Sequence, residues 1–339
     1  MKLGENAPGA VEAALARLAP ELLAGATGVT GVQRLTAGAS LQTWRFDVVA
    51  PGAERRLILR RRTSGPEDEA LETALPLSSE AALLRAAAQA GAPVPAVARV
   101  CSHEDGLGEG LITEGVEGET LGRRIAAAPE FEAVRGELGA QAGAALAAIH
   151  AVKAPERLPI PSLSAAETLA RYAELYRETI PLRPVLEAAI RWLGERLPPE
   201  PMTPRLVHGD FRNGNLIVDP ALGLVAVLDW ELAHLGDPAE DIGWICVNSW
   251  RFGVTEREVG GFASLGDFLE GYADAGGTPP PLETIRFWTA LGSFRWGVMT
   301  QMLGARGGAD PGTALERAVI ARRLSECEVD LLSLMDGGA

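Results

Sequence analysis

Residues 208–230 read HGDFRNGNLIVDPALGLVAVLDW, a polar loop followed by two apolar runs. Asp210 and Asn215 lie in the loop, and Asp229 ends the second apolar run. A carboxylate can accept the proton of a hydroxyl, and carboxylate and amide oxygens are ligands that Mg²⁺ prefers. The alternative is that these residues only form a turn, because Asp, Asn and Gly dominate turns for local reasons.

The order of these residues favours the chemical interpretation. Kinases place an aspartate, four intervening residues, an asparagine and then a second aspartate at the end of a strand. A turn explains any one of these residues, but it does not explain why they occur together in this order after His208. We therefore predict that Asp210 accepts or orients the proton of an acceptor hydroxyl and that Asn215 and Asp229 bind Mg²⁺. His208 is predicted to organise the backbone of the loop.

The composition is that of a folded, acidic protein. The chain has 339 residues, of which 47% are hydrophobic and 22% charged, and its formal net charge is −14. This length predicts two packed parts instead of a single core. Nucleic acid is not expected as a partner, because binding a phosphate backbone needs a basic face. The three scattered cysteines match no disulfide framework, and neither a signal peptide nor a membrane-spanning run is evident, so a cytoplasmic location is predicted.

The pattern of short extended runs predicts a β-rich part followed by a helical part. The first part contains five extended runs and one alanine-rich helix, which is expected to begin at Ser78-Ser79-Glu80 with serine as its cap. The runs lie at residues 29–35, 43–49, 55–61, 97–101 and 110–113. From about Thr120 onward the pattern is mainly helical and closes with one helix over residues 315–334.

The loop and its surroundings resemble the aminoglycoside phosphotransferase and choline kinase-like superfamily through His208–Asn215 and Asp229-Trp230. Leu228–Glu231 followed by Gly236–Pro238 is most similar to the branch that includes kinase-like domains fused to acyl-CoA dehydrogenases. The resemblance covers the chain from about Val29 to the last helices. It implies an α+β, two-lobed, protein-kinase-like fold with a small antiparallel sheet and one inserted helix in the N-terminal lobe and a larger, mainly α-helical C-terminal lobe.

The same resemblance divides the chain into a nucleotide-binding lobe at residues 1–115 and a catalytic and substrate-binding lobe at 116–339. Arg60 occupies the place where a kinase strand presents its phosphate-binding lysine, so the resemblance implies that Arg60 contacts the α and β phosphates. Arginine is always cationic and can bind phosphate with two nitrogens, so this replacement is chemically tolerable. The alternative for Arg60 is a solvated basic run on an edge strand.

Further nucleotide-binding residues follow from the resemblance. Glu80 is placed to pair with Arg60, although a carboxylate is also favourable at any helix start. Gly38 and Ser40 replace a kinase glycine-rich loop and would present donors to phosphate, although a tight turn has the same composition. Glu114 and Val116 fall where the interlobe hinge is expected and would offer backbone groups to adenine.

Some residues of the C-terminal part are expected to be structural first. His150 ends a long helix, where packing or capping is favoured over catalysis, and Asp237 and Asp241 flank a helix start. Tryptophans in the last helices, with neighbouring arginines, are more often core than pocket. If they line a pocket, their mixture of apolar and cationic groups favours an anionic or acyl-type acceptor over a polycationic antibiotic. These residues are Trp244, Trp250, Trp288, Trp296, Arg251 and Arg295.

The sequence therefore predicts a Mg²⁺-dependent phosphotransferase that moves the γ-phosphoryl group of ATP or GTP to a hydroxyl of a small molecule, with Asp210, Asn215 and Asp229 as catalytic residues. The alternative is a catalytically silent pseudokinase or scaffold, which would be expected to have lost one of these residues. A protein kinase is disfavoured, because Asp229 is followed by Trp230-Glu231 instead of Phe-Gly. The acceptor, whether aminoglycoside, choline-like, sugar or hydroxyacyl-CoA, and the oligomeric state are left open.

Overall fold

The computed structural model of the protein describes residues 8–35, 41–62, 74–153, 158–201, 203–305 and 311–337. The chain forms two compact units. The N-terminal unit comprises residues 1–117, 154–160 and 225–232, and the C-terminal unit comprises residues 118–153, 161–224 and 233–339. Asp229 therefore belongs to the N-terminal unit although it lies late in the chain. The assignment of nucleotide binding to residues 1–115 and of catalysis to residues 116–339 stays a prediction.

The N-terminal unit contains an antiparallel sheet with the strand order β1-β2-β3-β5-β4 and one helix inserted between β3 and β4. Its elements are α1 (Pro8–Leu22), β1 (Gly28–Leu35), β2 (Gln42–Ala50), β3 (Ala53–Arg61), α2 (Leu77–Gln89), β4 (Val97–Cys101) and β5 (Gly110–Glu114). This arrangement confirms the predicted β-rich part with its inserted helix. The expected extended runs closely match the strands, because their apolar residues alternate as a half-buried sheet requires.

The alternation along β3 decides which of its arginines faces which side. Leu57 and Leu59 are buried against α1 and the neighbouring strands, and they project from the opposite face of the strand to Arg60. Helix α2 begins one residue earlier than the serine pair suggested. Its N-cap is Pro76, and no side-chain hydrogen bond caps it. Glu80 in its first turn is fully buried.

The C-terminal unit is mainly helical, as predicted. Its elements are α3 (Gly122–Ala127), α4 (Glu132–His150), α5 (Ala165–Thr179), α6 (Pro184–Gly194), β6 (Arg205–Val207), β7 (Leu216–Asp219), β8 (Gly223–Val227), β9 (His234–Gly236), α7 (Ala239–Ile245), α8 (Leu265–Asp274), α9 (Leu282–Ala305), α10 (Pro311–Ala321) and α11 (Leu324–Asp336). Strand β8 runs from the C-terminal unit into the N-terminal one. Strands β6 and β9 pair antiparallel and flank the loop region.

Helices α4 and α8 approach each other closely. A Cβ atom at Gly143 of α4 would lie 2.1 Å from the carbonyl oxygen of Phe268 in α8, so only glycine fits at this position. The close approach brings His150, the last residue of α4, next to Tyr272 of α8. The packing of these two helices therefore positions the His150 side chain.

The closing helix predicted over residues 315–334 is wrong in one respect, since two helices cover this region. Helix α10 ends at Ala321, and α11 begins at Leu324. Leu324, Cys327 and Leu331 of α11 are buried, whereas none of the described side chains of α10 is. The apolar residues that suggested one continuous helix are therefore buried in the core only from residue 324 onward. None of the helices in the described part of the chain is long and apolar enough to cross a bilayer.

Candidate functional site

The loop between β6 and β7, residues His208–Asn215, carries the predicted catalytic residues of the C-terminal unit. Two of its glycines adopt left-handed backbone conformations, Gly209 with φ 78° and Gly214 with φ 121°. The backbone N–H of Asn215 donates to the carbonyl of Arg212 at 2.9 Å and closes a turn. The residues are thus turn formers, as the alternative interpretation required, and they also hold a carboxylate in a defined position.

The Asp210 carboxylate receives hydrogen bonds on both of its oxygens. Trp244 Nε1 donates to Oδ1 at 2.7 Å, and Asn215 Nδ2 donates to Oδ2 at 2.6 Å and to the Asp210 carbonyl at 2.9 Å. Arg212 Nε lies 3.1 Å from Oδ1. The side chain remains 15% exposed. The structure therefore brings Asp210 and Asn215 together and leaves the carboxylate accessible to a small molecule.

Asp241 of α7 binds the backbone of the loop. Its carboxylate accepts hydrogen bonds from the backbone N–H of His208 at 2.7 Å and of Gly209 at 2.9 Å. His150 Nε2 lies 3.1 Å from the same carboxylate, and His150 Nδ1 lies 2.8 Å from the Tyr272 hydroxyl. Burial opposes ionisation of Asp241, but the hydrogen bonds and charge of His150 and the loop N–H groups lower its pKa. Asp241 and His150 therefore have the supporting roles that the sequence predicted.

A second buried support comes from Arg295 of α9. Its Nη1 lies 3.2 Å from Glu240 Oε1, and its Nη2 donates to the carbonyl of Gly209 at 3.2 Å. Its guanidinium also lies 4.6 Å from the centre of the Trp244 ring, the indole that donates to Asp210. Burial would lower the pKa of Arg295, but the charges of Glu240 and Asp210 and the hydroxyl of Tyr172 raise it. Gly209 is thus fixed through both its N–H and its carbonyl.

The N-terminal unit contains a separate ion-pair cluster. Arg60 Nη1 lies 2.7 Å from Glu80 Oε2, and Arg60 Nη2 lies 2.7 Å from Asp229 Oδ1. The expected contact between Arg60 and Glu80 is therefore present, while the phosphate-binding role of both residues stays a prediction. Asp229 has φ 64°, a left-handed conformation that is uncommon for residues other than glycine. Its carboxylate is 38% exposed.

The charges in this cluster shift one another's ionisation. Burial raises the pKa of Glu80 to about 7, the charges of Asp229 and Glu231 add to the rise, and Arg60 opposes it. For Arg60, burial lowers the pKa, but the charges of Glu80 and Asp229 outweigh this effect and raise it. The guanidinium is therefore charged at any physiological pH, and Glu80 is the member of the cluster that titrates near neutrality.

The remaining predicted nucleotide-binding residues differ in how far the structure describes them. Gly38 and Ser40 lie outside the described residues. The N–H of Glu114 donates to the carbonyl of Ala96 at 2.9 Å, and its carboxylate accepts from Arg55 Nε at 2.7 Å, so both groups are engaged. Val116 makes no backbone hydrogen bond within the ranges that the structure describes. Val116 is thus the residue of this pair with free backbone groups.

Most of the tryptophans that the sequence suggested as possible pocket residues are buried in the core of the C-terminal unit. Trp244, Trp250 and Trp288 are each less than 5% exposed, and Trp244 and Trp250 pack with Trp296 in one cluster. Trp288 Nε1 donates to Asp237 Oδ2 at 3.0 Å, which gives Asp237 a supporting role at the start of α7. Arg251 donates to the carbonyls of Cys246 and Thr255 and stabilises its own loop.

Two contacts of Asp210 were not predicted from the sequence. Arg212 lies two residues after Asp210 in the loop, so its closeness could have been read from the motif itself. Trp244 is 34 residues away in α7, and no local pattern signals its contact with Asp210. Among the described residues, no group of three or more His, Cys, Asp or Glu side chains is arranged to hold a metal ion.

Comparisons with known proteins identify the family of this chain and its relatives. A family model described as “Phosphotransferase enzyme family” matches residues 31–286. Over 303 residues the chain is 29% identical to mouse acyl-CoA dehydrogenase family member 10, a match that covers 82% of this chain and 27% of the mouse protein. The chain therefore spans about a quarter of the length of this curated relative. The resemblance drawn from the loop and from Leu228–Glu231 is confirmed.

Solved structures show the same fold. A Ralstonia eutropha JMP134 protein described as a candidate aminoglycoside phosphotransferase has a TM-score of 0.69 at 23% identity, with 98% of each chain covered. The GDP complex of aminoglycoside 2′-phosphotransferase-IIIa has a TM-score of 0.61 at 14% identity, and the match covers 90% of this chain and 94% of that one. The predicted protein-kinase-like fold class is confirmed.

Proposed function

This chain belongs to the phosphotransferase enzyme family, and on that premise we propose that it transfers the γ-phosphoryl group of ATP or GTP to a hydroxyl of a small molecule. The observation that carries the proposal is the Asp210 carboxylate, which Trp244 and Asn215 hold in a fixed position while it stays partly exposed. The GDP complex of a protein with the same fold supports a nucleotide as co-substrate.

In the proposed reaction Asp210 is the base. The acceptor hydroxyl gives its proton to the Asp210 carboxylate, its oxygen forms a bond to the γ-phosphorus, and the bond from that phosphorus to the bridging oxygen breaks to release the nucleoside diphosphate. Trp244 and Asn215 fix the direction of the carboxylate before the acceptor arrives, and such positioning supplies much of the catalytic advantage of a site of this kind. Arg60 would neutralise phosphate charge, and Glu80 would orient Arg60.

The donor set fits Mg²⁺. Mg²⁺ is commonly bound by one or two protein oxygens together with substrate phosphates, so a dedicated cluster of acidic residues is not required. Because Asn215 uses its Nδ2 for Asp210, its Oδ1 is left as a ligand, and Asp229 offers a partly exposed carboxylate. We assign Asn215 and Asp229 as the residues that would hold Mg²⁺, which would neutralise charge on the nucleotide phosphates. Val116 and the backbone near Glu114 would contact the base of the nucleotide.

The test is Asp210→Asn. We expect kcat to fall by roughly 10²–10⁴-fold, because general-base catalysis contributes a factor of that size. The affinity for MgATP, measured by calorimetry or by the ligand-induced rise in Tm, should stay within about threefold, because this variant leaves Arg60, Glu80 and Asp229 intact. Turnover would be measured as nucleoside diphosphate release across a panel of alcohols, amino sugars, choline and hydroxyacyl thioesters.

Asp219→Asn is the matched control, since this carboxylate ends β7, the strand that follows the Asp210 loop, and accepts hydrogen bonds from the backbone of its own turn. It should keep wild-type turnover. Unchanged turnover in Asp210→Asn would refute the role of Asp210. A wild-type protein that binds MgATP but transfers phosphate to no member of the panel would favour the catalytically silent alternative.

A further inference from the structure

Arg212 is a charged side chain beside Asp210 that the proposed reaction does not use. Its Nε lies 3.1 Å from Asp210 Oδ1, its guanidinium carbon is 4.6 Å from the centre of the Trp250 ring, and it is 25% exposed. Within the described part of the chain, its Nη1 and Nη2 have no hydrogen-bond partner. A guanidinium that is fixed at Nε and free at its two outer nitrogens can bind an oxyanion with two parallel hydrogen bonds.

The loop is built to leave this guanidinium in place. A Cβ atom at Gly214 would lie 2.5 Å from Arg212 Nη1, so any other residue there would displace the outer nitrogens. Trp250, which is 4% exposed, supplies a buried aromatic ring whose centre lies 4.6 Å from the guanidinium carbon. The Nε contact with Asp210 and the Trp250 ring therefore hold the guanidinium, and Gly214 leaves room for its outer nitrogens.

The carboxylates at the start of α7 already have hydrogen-bond or ion-pair partners, so they are not available to bind a positively charged acceptor. Asp237 accepts from an indole and from a backbone N–H. Glu240 is paired with Arg295, and Asp241 binds the loop backbone. An ammonium group would therefore find Asp210 as its available partner here, and Asp210 is needed for the hydroxyl proton.

The polar atoms without a partner near Arg212 in the described part of the chain include the buried acceptor Asn213 Oδ1 and several donors. In addition to the guanidinium, the indole nitrogens Nε1 of Trp250 and Trp296 are buried and have no hydrogen-bond partner among the described residues. Indole and guanidinium groups donate and do not accept. The partly exposed guanidinium of Arg212 therefore favours carboxylate or phosphate oxygens over a cation.

We propose that Arg212, supported by Trp250, forms an oxyanion subsite next to Asp210, so that the acceptor is a small hydroxy compound that also carries a carboxylate or a phosphate group. This inference rests on the proposed phosphoryl transfer. The oxyanion would bind to Nη1 and Nη2 of Arg212, and the hydroxyl would face the Asp210 carboxylate. Because the two side chains are in direct contact, the hydroxyl and the anionic group would lie close together in the acceptor.

The experiment compares acceptors that share one carbon skeleton. A hydroxy acid, the corresponding hydroxyalkyl phosphate, the neutral amide and the amino alcohol are each tested with MgATP, and kcat and KM are measured by ADP release. We expect kcat/KM to be at least 10-fold higher for an anionic acceptor than for the neutral amide, and lowest for the amino alcohol. The hydroxy acid and the hydroxyalkyl phosphate distinguish the two sources of the oxyanion.

Arg212→Gln should lower kcat/KM for the anionic acceptor by roughly 10- to 100-fold more than for the neutral amide, mainly through KM. Arg212→Lys keeps the positive charge but lacks the planar guanidinium, so its kcat/KM for the anionic acceptor should lie between those of the wild type and Arg212→Gln. If Arg212→Gln has a lowered Tm, the lysine variant replaces it in the test. Arg177→Gln is the matched control, because this exposed arginine pairs with Glu187 on the neighbouring helix, away from Asp210 in the chain.

Three outcomes would overturn the subsite. The first is a preference for the amino alcohol. The second is an equal loss of kcat/KM for charged and neutral acceptors in the Arg212 variants, caused by a decrease in kcat. That pattern would assign Arg212 to the transferred phosphoryl group. The third is unchanged selectivity in both Arg212 variants. By contrast, the absence of ATP-dependent turnover with every acceptor would refute the proposed function itself and the subsite with it.

Discussion

The two units hold their acidic groups by different means. In the N-terminal unit one guanidinium, that of Arg60, contacts both Glu80 and Asp229. In the C-terminal unit Asp210 is held largely by neutral donors, and Asp241 is held by backbone N–H groups and a histidine. The first arrangement depends on the balance of charges, and the second depends on the position of the backbone.

This difference determines how each part should respond to change. A carboxylate that is paired with a charge in a buried site responds strongly when the partner is neutralised, because an uncompensated charge is left behind. A carboxylate that is held by several neutral donors tolerates the loss of one of them. The C-terminal arrangement is vulnerable instead at Asp241, because that residue alone connects α7 to two consecutive N–H groups of the loop.

The largest effect is expected from Asp241→Asn. An amide has one acceptor oxygen, so its NH₂ group would face a loop N–H and leave a buried donor unsatisfied. We expect the free energy of unfolding to fall by about 3–5 kcal/mol and turnover to be lost, as urea unfolding and ADP release would measure. Because the pKa of Asp241 is lowered in the folded protein, its contribution to stability is present above the ordinary pKa of 3.8 and is lost as the pH falls below it.

The control for this variant is Asp267→Asn. Asp267 lies in the exposed first turn of α8 and bonds with Ser264. We expect its replacement to change the free energy of unfolding by less than about 1 kcal/mol. Equal losses in the two variants would contradict the comparison between buried and exposed anchoring carboxylates.

A smaller effect is expected from replacing Arg60. Arg60→Met leaves Glu80 and Asp229 without their cation and should lower kcat/KM for ATP by roughly 100-fold, because charge-assisted contacts to phosphate are lost. Arg60→Lys keeps a charge but cannot span two carboxylates with a planar fork, so an intermediate loss is expected. Steady-state kinetics with varied ATP would measure both variants.

Arg56→Met serves as the control on the same strand, since the Arg56 side chain is 45% exposed and pairs with Asp47 and Glu117. It should leave kcat/KM for ATP within about threefold, because exposed ion pairs contribute little. If Arg60→Met behaved like Arg56→Met, the phosphate-binding role of Arg60 would be wrong.

The smallest effect is a pH dependence at Glu80. Since its pKa is raised from 4.5 to about 7, the folded protein binds this proton more tightly than the unfolded chain does. The stability that Glu80 contributes is therefore fully present below pH 4.5 and is lost as the pH rises through about 7. Between these pH values Glu80 should lower the free energy of unfolding of the wild type by on the order of 2–3 kcal/mol, and Glu80→Gln should lack this decrease. Urea unfolding at several pH values would measure both proteins.

Glu283→Gln is the matched control, because Glu283 also lies in the first turn of a helix but is exposed. The pH dependence of its unfolding free energy should match that of the wild type. A Glu80→Gln profile that is parallel to the wild type between pH 4.5 and 7 would show that Glu80 is ionised throughout this range.

Local patterns in the sequence were sufficient for the strands and for the contacts made within one loop or between neighbouring elements. The extended runs predicted the strands, and the spacing of Asp210 and Asn215 predicted that they belong to one turn. The boundary between α10 and α11 was missed, because exposed and buried helices have similar local propensities and differ only in what they pack against.

The chemistry proposed for the site comes from the sequence, because a kinase-like order of Asp210, Asn215 and Asp229 is a property of spacing along the chain. The side chains that hold Asp210 and its loop from a distance were decided by the tertiary structure. Trp244, Asp241 and Arg295 reach the loop only because α7 and α9 pack beside it. Contacts between residues so far apart in sequence have no periodicity or composition that could reveal them, since they depend on how whole helices pack.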